Sequence, residues 1–295
     1  MSGAAWGQLI LLALIWGGSF LSTRIALDEI GPFTVVLHRC FWAMVLLWGV
    51  VLVSGQRVPR DPKVWGFFLI MGVMNNVLPF FFLAWGQLHI ESGLTAIFNS
   101  FTAVFGVIVA AIVFADEKLT MRKGFGVAFG VWGVATAMGI GTLTQIDLRS
   151  LAQLSVLAAT LCYAMSGSFA RAKLSQLSPI VASAGMLTAS TMVMIPLAIL
   201  TEGLPNLDLL PRTWVAIAYY SLIATGAAYL LYYSILAKAG SGNLMLVTLL
   251  LVPMAILLGH FVLGEILMTR HIIGFGIIAF GLVVLDGRVL RWIRH

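Results

Sequence analysis

Apolar residues come in ten long blocks along this chain, and polar residues gather in the gaps between them. The blocks cover roughly residues 8–27, 33–53, 64–85, 93–114, 124–141, 151–171, 179–201, 213–237, 243–263 and 271–287. Each is close to the ~20 mostly apolar residues an α-helix needs to cross a bilayer. Glycine, proline or charge punctuates every block, and links such as 28–32 and 238–242 are tight, so successive helices run antiparallel. The period-two alternation of a membrane β-barrel is absent. The predicted fold class is an all-α membrane protein of ten transmembrane helices.

Composition agrees. Of 295 residues, 61% are hydrophobic and only 9% charged, against about 25% charged in a soluble domain. No stretch is long and polar enough to form a separate soluble domain. The first block lacks a basic leader and runs past any small-residue cleavage site, so it is read as a retained span. Cys40 and Cys162 lie inside apolar blocks, away from any ligand spacing, and predict neither disulfide nor metal.

The net charge of +6 is mostly a sidedness signal. With the N-terminus inside, cytoplasmic segments carry Arg57, Arg60, Lys63, Lys118, Arg122, Lys123, Arg171, Lys173, Lys238, Arg288, Arg291 and Arg294. External loops carry only Arg149, Arg212 and Arg270. The positive-inside rule then puts both termini in the cytoplasm. Nothing in this charge calls for nucleic acid.

The chain also repeats itself. A shift of about 149 residues lays Trp65 on Trp214, Phe80 on Tyr229, Ser92-Gly93 on Ser241-Gly242, and Gly18-Ser19-Phe20 on Gly167-Ser168-Phe169. Two repeats are predicted, 1–143 and 150–288, followed by a basic tail, 289–295. Each holds five spans. Five is odd, so the second repeat enters the membrane upside down. Such inverted repeats suit a transporter, whose halves exchange outward- and inward-open states around a central cavity.

The motifs carry a resemblance. Ile15–Phe20 (IWGGSF), Pro32 followed by Arg39, Glu117 at the end of the fourth block, TGAAYLLYYSILAKAGSG, Pro253 and Gly264-Glu265 together resemble the EamA-type drug/metabolite transporters over essentially the whole chain. Within that family the chain looks most like the aromatic amino-acid exporters of bacterial inner membranes. The resemblance implies a basket of ten helices with helices 5 and 10 peripheral. It also implies export of small metabolites without ATP hydrolysis, and no cofactor. One departure matters. The small four-helix exporters of the wider superfamily use a buried glutamate in their first helix, where this chain has Trp16 and Ser19. That argues against proton-for-cation exchange of that kind.

Depth sorts the polar residues. All eleven Asp and Glu sit at or near span ends. Arg39 lies ~9 Å below the outer end of its helix, at 1.5 Å per residue. It can pair with Asp28 or Glu29, or face the cavity and hold a carboxylate. A structural or gating pair is the favoured reading, as for Glu117 and Glu265. His38 points ~100° away from Arg39, so only one of the two faces the cavity squarely. Near mid-depth lie Trp16, Ser19, Asn75, Asn76, Pro79, Phe80, Asn99, Tyr163, Ser166, Tyr229 and Thr248. Together with His38 they are the expected cavity lining. Pro79 is expected to kink its helix and Pro253 to break one. Such a lining is aromatic and free of acid, which fits a neutral or zwitterionic solute with an apolar side chain.

Other classes fit less well. A membrane enzyme needs a nucleophile–base pair, a metal cluster or paired carboxylates, and the spans offer none. A passive pore builds its filter from identical subunits, not from an internal repeat. The expected function is export of amino acids, aromatic ones included, with another small metabolite or a drug as the alternative cargo. A monomer is expected. Gly126 and Gly130, at GxxxG spacing, leave a dimer open.

Overall fold

The computed structural model describes residues 1–90, 92–147, 150–263 and 266–286. Arg149, Gly264, Glu265, the end of the second repeat and the 289–295 tail lie outside the described residues. The described chain forms ten helical rods. They are α1 (Gly3–Ala26), α2 (Pro32–Val53), α3 (Pro62–Gln87), α4 (Ser92–Val113), α5 (Met121–Met138), α6 (Leu151–Lys173), α7 (Pro179–Glu202), α8 (Pro211–Ala239), α9 (241–263) and α10 (Thr269–Asp286). Among the described residues there is no strand.

Sequence punctuation sets the ends. Proline opens α2, α3, α7 and α8, where its missing N–H costs nothing and its fixed φ suits the first turn. Gly240 closes α8 at φ +82°, a backbone that L side chains rarely adopt. There a Cβ would also strike the Glu117 carboxylate.

Eight rods are long and apolar enough to cross a membrane, and α10 adds a shorter apolar helix, Thr269–Leu285. The expected fifth span, α5, falls short of the same test. Glycines dilute its apolar character, and Arg122 and Lys123 occupy its first turn. The polarity is inside-out relative to a water-soluble protein. Val53, Ile112, Leu200 and Phe261 are exposed, whereas Asn76, Thr160, Ser190 and Ser221 are fully buried. Hydrocarbon offers no hydrogen bonds, so polar groups turn inward.

The rods pair in a pattern that survives exchanging each helix for the one five places along. Thus α1 packs on α9 and α6 on α4; α3 packs on α6 and α8 on α1; α2 pairs with α7, and α5 with α10. The last pair runs antiparallel and closely. A Cβ on Gly126 or Gly133 of α5 would meet the carbonyl of Gly281 or Gly274 of α10. The glycine face of α5 is therefore taken up within the chain.

Two helices depart from α geometry at equivalent places. Helix α3 passes through a π turn at Val73–Val77, and α8 through a longer one at Tyr219–Ala227. These segments overlap under the 149-residue shift. Pro79 follows the first of them, so the predicted irregularity in α3 is a π turn just before the proline. Pro253, by contrast, sits within continuous helix. The irregularity of α9 lies earlier, at residues 245–246, between Ser241–Leu244 and Val247–Leu263.

Candidate functional site

A cavity of about 80 Å³ lies between the two halves. Its floor is near mid-bundle, at Asn75, Tyr229 and Tyr232, and its wall climbs past Arg39 and Phe80 to Thr23 and Gln87 at the far ends of α1 and α3. That end of the bundle also carries the 27–31 and 203–210 loops, joined where the Leu210 amide donates to Glu29 at 3.0 Å.

The floor is a closed hydrogen-bond network. The π turn of α3 turns Asn75 and Asn76 inward together. Asn75 Nδ2 donates to the Tyr229 hydroxyl at 3.1 Å, and Ser166 Oγ donates to Asn75 Oδ1 at 2.8 Å. Asn76 Nδ2 donates to Ser190 Oγ at 2.8 Å, and the Tyr229 hydroxyl donates to Asn76 Oδ1. Helices α3, α6, α7 and α8 are tied together at one level. Burying these amides is tolerable because each is satisfied.

Aromatic rings form the wall. Trp16 donates from Nε1 to the Ala224 carbonyl at 2.8 Å, within the π turn of α8. Its ring centroid lies 6.4 Å from that of Tyr232. Phe80 and Tyr163 meet edge to face at 6.5 Å. The two glycines of IWGGSF make room behind them. A Cβ on Gly17 would crowd the α9 backbone at Met254 and Ala255, and one on Gly18 would crowd the Tyr219 ring.

Arg39 is the one charged residue among the described cavity-lining residues. Its Nε donates to Thr225 Oγ1 at 2.9 Å, and its guanidinium carbon sits 3.9 Å above the Phe80 ring. The pairing considered with Asp28 or Glu29 is not made. Asp28 lies 3.9 Å from Arg24 and 4.0 Å from Arg212, and Glu29 accepts from the Leu210 amide.

Of the expected lining, Trp16, Ser19, Asn75, Phe80, Asn99, Tyr163, Tyr229 and Thr248 border the cavity, and His38, Asn76, Pro79 and Ser166 do not. His38 faces the opposite way. Trp42 Nε1 donates to its Nδ1 at 3.2 Å, and Trp214 packs edge-on at 5.8 Å. Thr23, Gln87, Thr102, Tyr232 and Met245 also border it. Thr23 and Gln87 sit near span ends, where polarity alone carries no signal.

The opposite end of the bundle is sealed. Glu117, just past α4, accepts from the Ser241 amide at 2.9 Å, the Ser241 hydroxyl at 3.2 Å and the Gly242 amide at 3.0 Å. It also pairs with Arg171 at the end of α6. Arg171 reaches on to Asp116 and stacks over Phe114 at 4.2 Å. Its hydrogen bond holds the Asp116 carboxyl below the usual carboxylate range. Glu265, the expected counterpart of Glu117, lies outside the described residues. Among the described residues no cluster of three or more His, Cys, Asp or Glu could hold a metal.

Comparison with known proteins places this architecture. A transporter of Bacillus subtilis named "Uncharacterized transporter YoaV" is 18% identical over 85% of this chain and 86% of its own length. An uncharacterized transporter of Archaeoglobus fulgidus is 24% identical over 86% of this chain and 87% of its own. A "probable terminal-alkyne amino-acid exporter" of Streptantibioticus cattleyicolor is 29% identical over 46% of this chain and 44% of its own. One crystal structure superposes with a TM-score of 0.81 at 16% identity, covering 97% of this chain and 99% of that one, which shows a common fold. The EamA-like transporter family matches residues 1–139 and again 150–285. The chain belongs to the EamA-like transporter family and is a multi-pass membrane transporter.

Proposed function

We propose that this protein exports amino acids, aromatic ones included, across a bacterial inner membrane by alternating access. Two inverted five-helix repeats, 1–143 and 150–288, form the moving halves, with both termini cytoplasmic. The twofold family match and the exchange symmetry of the helix pairs support this division. The structure then corresponds to a state open to the outside, with Glu117 and Arg171 closing the cytoplasmic end. The relative named as an amino-acid exporter supports the cargo class.

One observation carries the reading. The cavity is walled by aromatic rings from both halves, and among the described residues no carboxylate lines it. Rings offer tolerant stacking to apolar side chains, and a wall without acid does not repel a carboxylate. Selectivity is therefore broad. No bond is made or broken in this cycle, and neither an enzymatic step nor a cofactor belongs to it.

Flux of labelled tryptophan and phenylalanine in proteoliposomes, with and without a pH gradient, tests the proposal. Saturable flux competed by other amino acids is expected, and its response to the gradient reports coupling. Absence of flux for every amino acid, with the protein folded, would overturn it and move the cargo to another metabolite or drug.

A further inference from the structure

We propose that the free edge of the Arg39 guanidinium is a carboxylate-binding subsite, which makes a carboxylate group obligatory in the solute. This rests on the amino-acid reading above and sharpens it.

The guanidinium is presented rather than buried in a pair. Thr225 takes its Nε–H at 2.9 Å, and Phe80 supports its face at 3.9 Å. That leaves Nη1 and Nη2 without a hydrogen bond or ion pair among the described residues. Both nitrogens belong to a side chain that lines the cavity. A planar fork held in this way matches a carboxylate, which accepts two parallel N–H···O bonds. A fixed cation in so apolar a wall is costly unless something answers it. Among the described residues no acid does.

Two other groups on the cavity wall are left open as well. Thr102 is 1% exposed and its hydroxyl has no partner, although it borders the cavity. The Tyr232 hydroxyl, with Ser166 beside it, lacks a well-formed hydrogen bond. Native interiors rarely leave such groups unmet. Here, unpartnered groups line the same cavity as the free guanidinium edge. The contrast with the amide network is direct, because Asn75, Asn76 and Tyr229 satisfy one another. One cation among uncharged neighbours suits a monoanion, not a phosphate dianion.

Two measurements on the full-length purified protein test this. The first is thermal stabilisation by tryptophan and indole-3-propionate, which carry the carboxylate, against tryptophan amide and tryptamine, which do not. The expected result is stabilisation by the first pair only, and loss of that difference in Arg39→Gln. Arg39→Lys should keep part of it, since it keeps charge without the fork. Equal stabilisation by the amide and amine, or tighter binding of phenyl phosphate than of 3-phenylpropionate, would overturn the subsite. So would Arg39→Gln that still prefers carboxylates.

The second measurement is tryptophan flux in the same preparations. Carboxylate-selective stabilisation without any amino-acid flux would support the subsite and sink the exporter reading. Flux without carboxylate selectivity would do the reverse. Should Arg39→Gln fail to fold, Thr225→Val keeps the guanidinium and removes its support. Its half-saturating tryptophan concentration should rise about threefold or more, the scale of one neutral hydrogen bond. An unchanged value at unchanged stability would overturn the presenting role of Thr225 and, with it, the fixed fork on which the subsite depends.

Discussion

The two ends of the bundle are held by different chemistry. At the sealed end, one buried carboxylate, Glu117, gathers two amides, a hydroxyl and a guanidinium from α6 and α9. At the open end, Asp28 stands 3.9 and 4.0 Å from two arginines, with 45% of its side chain exposed. The first arrangement holds helices of opposite halves together. The second barely constrains anything, since exposed pairs gain little over water. Under the alternating access proposed above, weak ties suit an end that parts and many ties suit an end that is shut. Two carboxylates at the open end make firmer ties than Asp28, and Glu29 is the first, accepting from the Leu210 amide at 3.0 Å. Glu202 of α7 caps the start of α2 through the Phe33 and Thr34 amides at 2.9 and 2.8 Å. It joins α2 of the first repeat to α7 of the second, two helices packed along their lengths.

The largest expected effect comes from removing Glu117. Glu117→Ala leaves two α9 amides unmet and Arg171 with Asp116 as its one remaining acid among the described residues. It should cost roughly 2–3 kcal/mol, less than a fully buried pair because a quarter of the Arg171 side chain is exposed. Unfolding in detergent measures the loss. Cysteine labelling of cavity positions from the terminal side should rise in parallel. Unchanged stability and labelling would end the distinction between the two ends.

A middle-sized effect belongs to the floor. Tyr229→Phe removes both a donor to Asn76 and an acceptor for Asn75. A loss of about 1–2 kcal/mol is expected, together with slower transport at intact expression. A neutral result would mean that the floor does not help to hold the seal.

The smallest effect compares one carboxylate from each end. Because Arg171 holds Asp116 below the usual range, the contribution of Asp116 is in place above its unfolded-state pKa. It fades as pH falls through the lower folded value, below about pH 4. Acid titration of stability should therefore be shallower in Asp116→Asn than in the wild type. Asp28→Asn should shift stability at neutral pH by under about 0.5 kcal/mol. Identical acid profiles for wild type and Asp116→Asn would remove the tie assigned to Asp116.

The helices were legible because hydrocarbon demands long apolar runs. Residues 33–53 and 179–201 were predicted within a residue or so of α2 and α7. Helix α5 was weaker, since its glycines serve contact with α10 and not lipid affinity. Depth in the membrane picked out Asn75, Asn99 and Tyr163, but depth is silent about rotation. His38 and Arg39 adjoin in sequence, and one turns to Trp214 while the other turns to the cavity. The reach of Glu117 to Ser241 joins residues 124 apart. No local pattern announces a contact of that range.

The π turn of α8 has a consequence of its own. A π turn carries more residues than the α turn it replaces. Each added or lost residue swings everything beyond it by about 100° around the axis. The count between Pro211 and Ala239 therefore sets the direction in which Tyr229 and Tyr232 point. A one-residue deletion within 219–227 leaves the chemistry of every remaining residue intact and still changes which of them that stretch turns to the wall. In this helix the length of the text matters as much as its letters.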